Sequence, residues 1–292
     1  MKDFFAPAEQ AAIKAPDRMM GRVLVNAGKL SVRDAERILQ LQRERQLRFG
    51  DAAKALGVLT DADIEFALSR QFEYPYLRPG ESKVSQDVVA AYDPFSPQVE
   101  VFRTLRTQLT LRLLDNDASH KSIAILSAAR HEGRSYVAAN LAVMFAQSGR
   151  RTVLLDADLR NPCQHLLFGL EKRAGLSEVL SGRAGAEALQ RIEALPNLSL
   201  LPAGTVPPNP QELLSRPLFG ELLHQLNAHV DVILIDAPPA AETADAQTIA
   251  VRAGAALIVV RRNTSLAWRV QGVSTSVALA KATIVGAVLN DF

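Results

Sequence analysis

Six short apolar runs between residues 122 and 289, separated by stretches of helical pattern, constrain this chain more than any other feature. They are Ser122–Leu126, Thr152–Asp156, Leu198–Leu201, Val230–Asp236, Ala255–Arg261 and Ile284–Leu289. A strand with one wet face alternates apolar and polar residues. Several of these runs are apolar throughout, as a strand covered on both faces must be. Between them, Tyr136–Ser148 reads as a helix ending at Gly149, and Gln211–Ala228 as a helix opened by Pro210. Proline suits a first helical turn because the N–H it lacks would have no partner there. Strand and helix alternating in this order predict an α/β fold, a mostly parallel, doubly wound sheet.

A different pattern precedes it. Gly21, Gly28, Leu30, Ser31, Asp34, Glu36, Leu39 and Gln42 recur at an offset of 29 as Gly50, Gly57, Leu59, Thr60, Asp63, Glu65, Leu68 and Gln71. Each copy reads as a short helix, a glycine free to turn left-handed, and a second helix capped by Ser or Thr with an acid three residues on. The repeat predicts a small all-helical module over residues 1–78. Residues 79–98 mix Pro, Gly, Ser and charge and read as a linker, leaving 99–292 for the α/β domain.

Bulk properties exclude several classes. With 33 Lys and Arg against 31 Asp and Glu, the charge is too even for a dedicated nucleic-acid binder. One cysteine, Cys163, allows neither an internal disulfide framework nor a multi-cysteine metal site, and fits a reducing compartment. The N-terminus lacks the apolar core of a signal peptide and no apolar run reaches membrane-spanning length, so a cytoplasmic protein is expected.

The chemistry is concentrated at strand ends. Ser127 to Ser135 (SAARHEGRS) lies between a strand and a helix, where backbone N–H groups and the helix dipole favour a polyphosphate. The strict G-x4-G-K-[ST] pattern is not met, because Ala128 stands at the first glycine and Arg134 at the lysine. Two segments strengthen the reading. Val153–Arg160 (VLLDADLR) puts Asp156 and Asp158 just past one strand, and Val232–Pro239 (VILIDAPP) puts Asp236 at the end of another. Carboxylates at the ends of neighbouring parallel strands converge on the crevice beside the loop and suit a divalent cation.

On these motifs, together with Glu100-Val101-Phe102-Arg103-Thr104-Leu105-Arg106, Gly175–Leu180, Leu201–Gly204 through Pro210, and Gly286–Asn290, the segment from Ser96 onward resembles the bacterial tyrosine kinases of polysaccharide export, most closely their EpsG type. The resemblance implies a P-loop domain binding ATP and Mg²⁺. It implies that Ala129, Arg130, His131, Glu132, Gly133, Arg134, Ser135 and Tyr136 form the loop and first turn around the phosphates. Arg160 is expected to hold phosphate or neighbouring acids, and Asn290 to lie near adenine. Ser135, Asp156 and Asp236 would serve the metal, and Asp156, Asp158 and Arg134 the transfer itself. It further implies self-association through Glu100, Arg103 and Arg106. The implied partner is a membrane chain-length determinant (polysaccharide copolymerase), which would hold the protein peripherally at the inner membrane. The helical repeat resembles the N-terminal domain of type II secretion and pilus-assembly ATPases, which implies a protein partner or cyclic di-GMP; Arg48 keeps that pattern and Met19 does not.

Three departures matter. Arg134 keeps the charge of the loop lysine but is planar and forked. Arg130 and His131 replace the Pro and Gly of the family pattern. No tyrosine cluster follows the last strand, leaving Tyr74, Tyr76, Tyr92 and Tyr136. The kinase reading therefore stands beside a second, a non-catalytic ATP-binding regulator of the same assembly. A third, a partitioning or cell-division ATPase of the ParA/MinD kind, asks for an early loop lysine, and that position is Ala129.

Overall fold

The computed structural model describes residues 19–71, 76–115 and 121–291; Met1–Arg18, Tyr74, Pro75 and Phe292 lie outside them. The chain divides into two compact units at residues 76 and 77.

The first unit holds four helices, α1 (Met20–Asn26), α2 (Val32–Arg45), α3 (Phe49–Ala55) and α4 (Asp61–Gln71). The repeat dictates its core. Leu24, Leu30 and Ile38 are buried together with Ala53, Leu59 and Ala67, each exactly one repeat length further on. Gly28 and Gly57 take φ of 69° and 66°, the left-handed turns that end α1 and α3. Ser31 and Thr60 cap α2 and α4, accepting from Asp34 N at 3.0 Å and Asp63 N at 3.3 Å.

In the second unit, α5 (Val89–Tyr92) and α6 (Pro97–Leu109) precede β1 (Ser122–Ser127), α7 (Arg134–Gln147), β2 (Thr152–Asp156), α8 (Gln164–Leu167) and α9 (Leu176–Leu180). Then come β3 (Gln190–Arg191), β4 (Leu198–Leu201), α10 (Pro210–Ser215), α11 (Pro217–Asn227), β5 (Val232–Asp236), α12 (Asp245–Ala253), β6 (Ala255–Arg261), α13 (Ala267–Leu279) and β7 (Thr283–Asn290). The sheet order is β3-β4-β2-β5-β1-β6-β7, parallel except for β3. Alternate strand residues feed two cores. Ile123, Ile125, Leu154 and Leu234 pack with α5, α6 and α7 on one face. Leu126, Val153, Leu155 and Ile235 pack with the helices after β2 on the other.

Three expectations need correction. The single helix over Gln211–Ala228 is two, because Arg216 precedes Pro217 and is held extended (φ −62°, ψ 146°) by the steric demand of the proline ring. Strand β3 went unread, since two residues carry no periodicity. The stretch read as a linker is a strap built into the α/β domain: Leu77, Val84, Val88, Ala90 and Ala91 are all buried in its core. Ser85 N donates to Leu167 O at 2.7 Å. Gly169 (φ 61°) passes so near the strap that any side chain there would run into the Lys83 carbonyl.

Candidate nucleotide site

The register of the sheet brings the acids together. Asp156 at the end of β2 pairs with Asp236 at the end of β5, and Asp236 pairs on its other side with Ile125 of β1. The loop that follows β1 therefore opens beside both carboxylates. Gly133 turns left-handed (φ 91°) and starts α7, whose N-terminal N–H groups point at the same crevice.

Arg134 reaches into the cluster. Its guanidinium donates to Asp236 Oδ1 from Nε at 3.1 Å, to Ser127 Oγ from Nη1 at 2.8 Å, and to Asp158 Oδ2 from Nη2 at 3.1 Å. All of these groups are buried or nearly so. Asp158 Oδ1 accepts from the backbone N–H groups of Asn161 (2.9 Å) and Arg160 (3.3 Å). Asp156 Oδ2 accepts from Cys163 N at 3.0 Å and Gln164 N at 2.9 Å. Burial, reinforced by the negative charges of Asp236 and Asp158, holds the Asp156 carboxyl well above the usual carboxylate range. Burial also raises Asp236, against the pull of Arg134, Gln164 and Ser135. Cys163, in the same wall, is pushed up to about 12 by burial and by Asp236.

The remaining loop residues are fixed from behind. The Glu132 carboxylate accepts from Ala129 N at 2.7 Å and from the Ser265 hydroxyl. Asn290 Nδ2 donates to Glu132 O at 3.0 Å, and Arg261 Nη1 to His131 O at 3.0 Å. Arg130 pairs with Glu242 at 2.9 Å on the surface.

One residue expected at the site faces elsewhere, and Arg160 holds a neighbouring acid other than the strand-end three. The Tyr136 hydroxyl accepts from Gln98 Nε2 at 2.7 Å and its ring lies 5.9 Å from that of Phe102, so its side chain packs under α6 and only its backbone belongs to the loop. Arg160 binds Asp245 at 2.8 Å through its side chain and meets the acids only through its N–H. The signature cations are engaged within the chain, Arg103 with Glu100 (2.6 Å) and the Pro94 carbonyl, and Arg106 with Met144 O at 3.1 Å.

Sequence reasoning missed Gln164. It is fully buried, and its Nε2 donates to Asp236 Oδ2 at 2.8 Å and to Ser135 O at 3.0 Å. A lone glutamine eight residues past Asp156 carries no pattern that would have found it. Ser127, the third partner of Arg134, was likewise legible only as the first residue of the loop.

The donors suit a metal nucleotide. Asp156 Oδ1 and Gln164 Oε1 are buried and have no hydrogen-bond partner among the described residues, which is where a hard cation or its water would find oxygen ligands. Backbone N–H groups at the start of α7 supply the complementary phosphate cradle.

A parallel sheet carrying a phosphate loop after β1 and acids after β2 and β5 defines a P-loop NTPase of the ParA type. A family model described as ParA, NUBPL iron-transfer P-loop NTPase, matches residues 118–290. Within that class the chain belongs to the bacterial tyrosine-protein kinases. It is 35% identical over 209 residues to tyrosine-protein kinase YwqD of Bacillus subtilis (strain 168), covering 72% of this chain and 87% of that one. It is 33% identical over 208 residues to the putative tyrosine-protein kinase EpsB of Ralstonia solanacearum, covering 71% of this chain but only 28% of that longer protein. The kinase domain of the Escherichia coli tyrosine kinase ETK superposes with a TM-score of 0.66 at 32% identity, covering 70% of this chain and 79% of that one. The septum site-determining protein MinD of Pyrococcus horikoshii, solved with Mg-ADP, gives 0.52 at 27% identity, covering 58% and 70%. No helix among the described residues is long and apolar enough to cross a membrane.

Proposed function

We propose that this protein is a Mg-ATP-dependent protein tyrosine kinase that acts with a membrane chain-length determinant in exopolysaccharide export. The observation that carries the reading is the convergence of Arg134, Asp158 and Asp236 within 3.1 Å contacts beside the loop. Bound Mg²⁺ would be held from Ser135, Asp156 and Asp236 and would neutralise phosphate charge. Backbone N–H groups of the loop from Arg130 to Ser135 and the dipole of α7 would hold the polyphosphate, with Ala129 fixing the loop through Glu132 and Arg134 contributing a positive charge. Between them Asp156 and Asp158 would activate the incoming hydroxyl by accepting its one proton. Asn290, which donates to Glu132 O, would lie near adenine, and Arg160, which pairs with Asp245, would help to hold phosphate or neighbouring acids.

The Tyr92 hydroxyl is tied to Val84 O at 2.5 Å and the Tyr136 hydroxyl to Gln98, so the favoured acceptor is a tyrosine on another polypeptide. Self-association uses the face bearing Glu100, Arg103 and Arg106, and the helical module docks a protein or cyclic di-GMP. The protein then works at the cytoplasmic side of the inner membrane through its partner.

Incubation with labelled ATP and Mg²⁺, with and without the cytosolic tail of the determinant, followed by mass-spectrometric mapping, tests the kinase reading. Phosphotyrosine is expected, and Asp158→Asn is expected to abolish it while nucleotide still binds. Nucleotide binding with neither phosphotyrosine nor ADP formed favours the second reading, a non-catalytic ATP-binding regulator, to which the guanidinium locked among the acids lends support.

A further inference from the structure

One groove of the α/β domain takes part of its wall from the phosphate loop. It lies between the segment that follows β5 and helix α13, has a volume of about 640 Å³, and includes Ala128 and Ala129. Two backbone bonds lay the segment along the loop: Ala240 N donates to Ser127 O at 2.9 Å, and Ala241 N to Ala128 O at 3.1 Å. The groove is therefore continuous with the chain that carries the loop and with the chain that leaves Asp236. Two other concavities, one between α9 and α11 and one beside the strap, share no residue with the loop.

The chemistry of the groove is that of a docking surface. Trp268, the one tryptophan of the chain, stands 69% exposed on its wall. The Arg269 guanidinium lies 5.2 Å from the centre of the Trp268 ring and belongs to the one charged residue of α13. Glu242, the acid of the groove, is already paired with Arg130 at 2.9 Å, so it does not neutralise Arg269. Exposed Trp and Arg on a face poor in other charge are what protein interfaces concentrate. Thr243 Oγ1 is buried and has no hydrogen-bond partner among the described residues. At Gly272, in the middle of α13, an added Cβ would meet nothing within 4 Å, so the wall is hollow there.

Position selects the occupant. An acceptor hydroxyl must come up to the terminal phosphate at the loop, so the polypeptide that carries it has to lie on a surface continuous with the loop. Arg269 suits a carboxylate, Trp268 an aromatic side chain, and Thr243 Oγ1 a backbone group. We propose that this groove docks the acceptor polypeptide, an acidic segment that sets a carboxylate on Arg269 and a ring on Trp268 and brings its tyrosine beside the loop. The proposal deepens the kinase reading above and rests on it.

The test uses the full chain with Mg-ADP and a random copolymer of glutamate and tyrosine. Trp268 is the one tryptophan, so its emission reports occupancy without turnover. A saturable change is expected in the wild type. G272L fills the hollow with a better helix former than glycine, and R269E reverses the charge; each is expected to weaken binding by about tenfold or more. With labelled ATP, both variants should raise KM for the copolymer by a similar factor while kcat and ADP affinity stay near wild type, a split that general damage to the fold would not give. Wild-type emission indifferent to the copolymer, or variant KM values within about twofold of wild type, overturns the proposal. Emission that shifts with protein concentration alone, and that the copolymer does not reverse, assigns the groove to a second copy and also overturns it. Wild-type emission that responds to the copolymer with no phosphotyrosine formed supports a groove for acidic polypeptide and defeats the kinase reading instead.

Discussion

Replacing Asn140 by Leu tests whether the strap before α6 is structural. Asn140 is fully buried in the middle of α7, which is otherwise an apolar helix. Its Oδ1 accepts from Ala90 N at 2.9 Å, and its Nδ2 donates to Asp87 O at 3.2 Å and Tyr136 O at 2.9 Å. Leu fills a similar volume but strands the Ala90 N–H, and an unsatisfied buried group costs about 1–3 kcal/mol. The helix itself still serves Tyr136 O. Added apolar burial offsets part of the loss, so the expected destabilisation is about 2 kcal/mol, or roughly 4–8 °C in Tm for a unit of this size. Gln147 clasps the same residue from the other side, donating to Ala90 O at 2.9 Å. The two side chains share one partner, so N140L and Q147L are expected to be non-additive by about 1 kcal/mol in a double-mutant cycle. Hydrogen exchange reads the effect locally: amides of residues 84–92 should lose protection in N140L while those of β1 and β5 keep theirs. An N140L cost under about 0.5 kcal/mol with the Ala90 and Ala91 amides still protected would refute the reasoning, since residues outside shared networks behave that way.

A chain starting at residue 77 is expected to unfold cooperatively. One starting at residue 99 should aggregate, because it lacks Leu77, Val84 and Val88, each worth about 1.5–3 kcal/mol of burial; equal solubility of the two fragments would count against the strap as core. With its thiol raised to about 12, Cys163 should react with a disulfide probe at pH 8 on the order of a thousandfold more slowly than an ordinary thiol, and at the ordinary rate in denaturant. In the helical module, Lys29 at 2.5 Å and the Thr60 hydroxyl pull Asp63 down to about 2. Its folded value lies below its unfolded one, so this stabilisation is complete above the ordinary value near 3.8 and is lost as pH falls towards 2. The pair is partly solvated, so salt should weaken the effect, and Lys29→Met should reduce it, leaving the share due to Thr60, in an acid titration followed by circular dichroism.

The parallel sheet was readable because strands covered on both faces leave continuous apolar runs, and the helical module because its core repeats every 29 residues. Asp156, Asp158 and Asp236 were readable because a carboxylate ending such a run has few other reasons to be there. Gln164 and Ser127 were not, since their roles depend on where α8 and β1 bring them in space. The strap was misread for a related reason. Its Pro, Gly and Ser residues mark turns, and turns occur as readily in a segment wrapped on a core as in a free linker. What fixes it is polar: Asn140 and Gln147 on a helix whose composition alone gives no hint of a partner.

The phosphate loop shows how a departure in sequence can leave a shape intact. His131 holds φ of 60°, a left-handed conformation that costs a residue with a Cβ roughly 1–2 kcal/mol and a glycine almost nothing. A loop relying on its own residues to adopt that turn would lose it on replacement of glycine by histidine. Here three contacts from outside impose it: Arg261 on the His131 carbonyl, Asn290 on the Glu132 carbonyl, and Ser265 on the Glu132 carboxylate, which in turn holds the Ala129 N–H. All three come from the end of β6, the turn after it and the end of β7, so the edge of the sheet remote from the acids sets the backbone of the loop. The shape needed for phosphate is therefore specified by residues more than a hundred positions away in sequence. That leaves positions 130, 131 and 134 free to change side-chain chemistry, and Arg134 can take up the space among the acids without altering the loop that presents it.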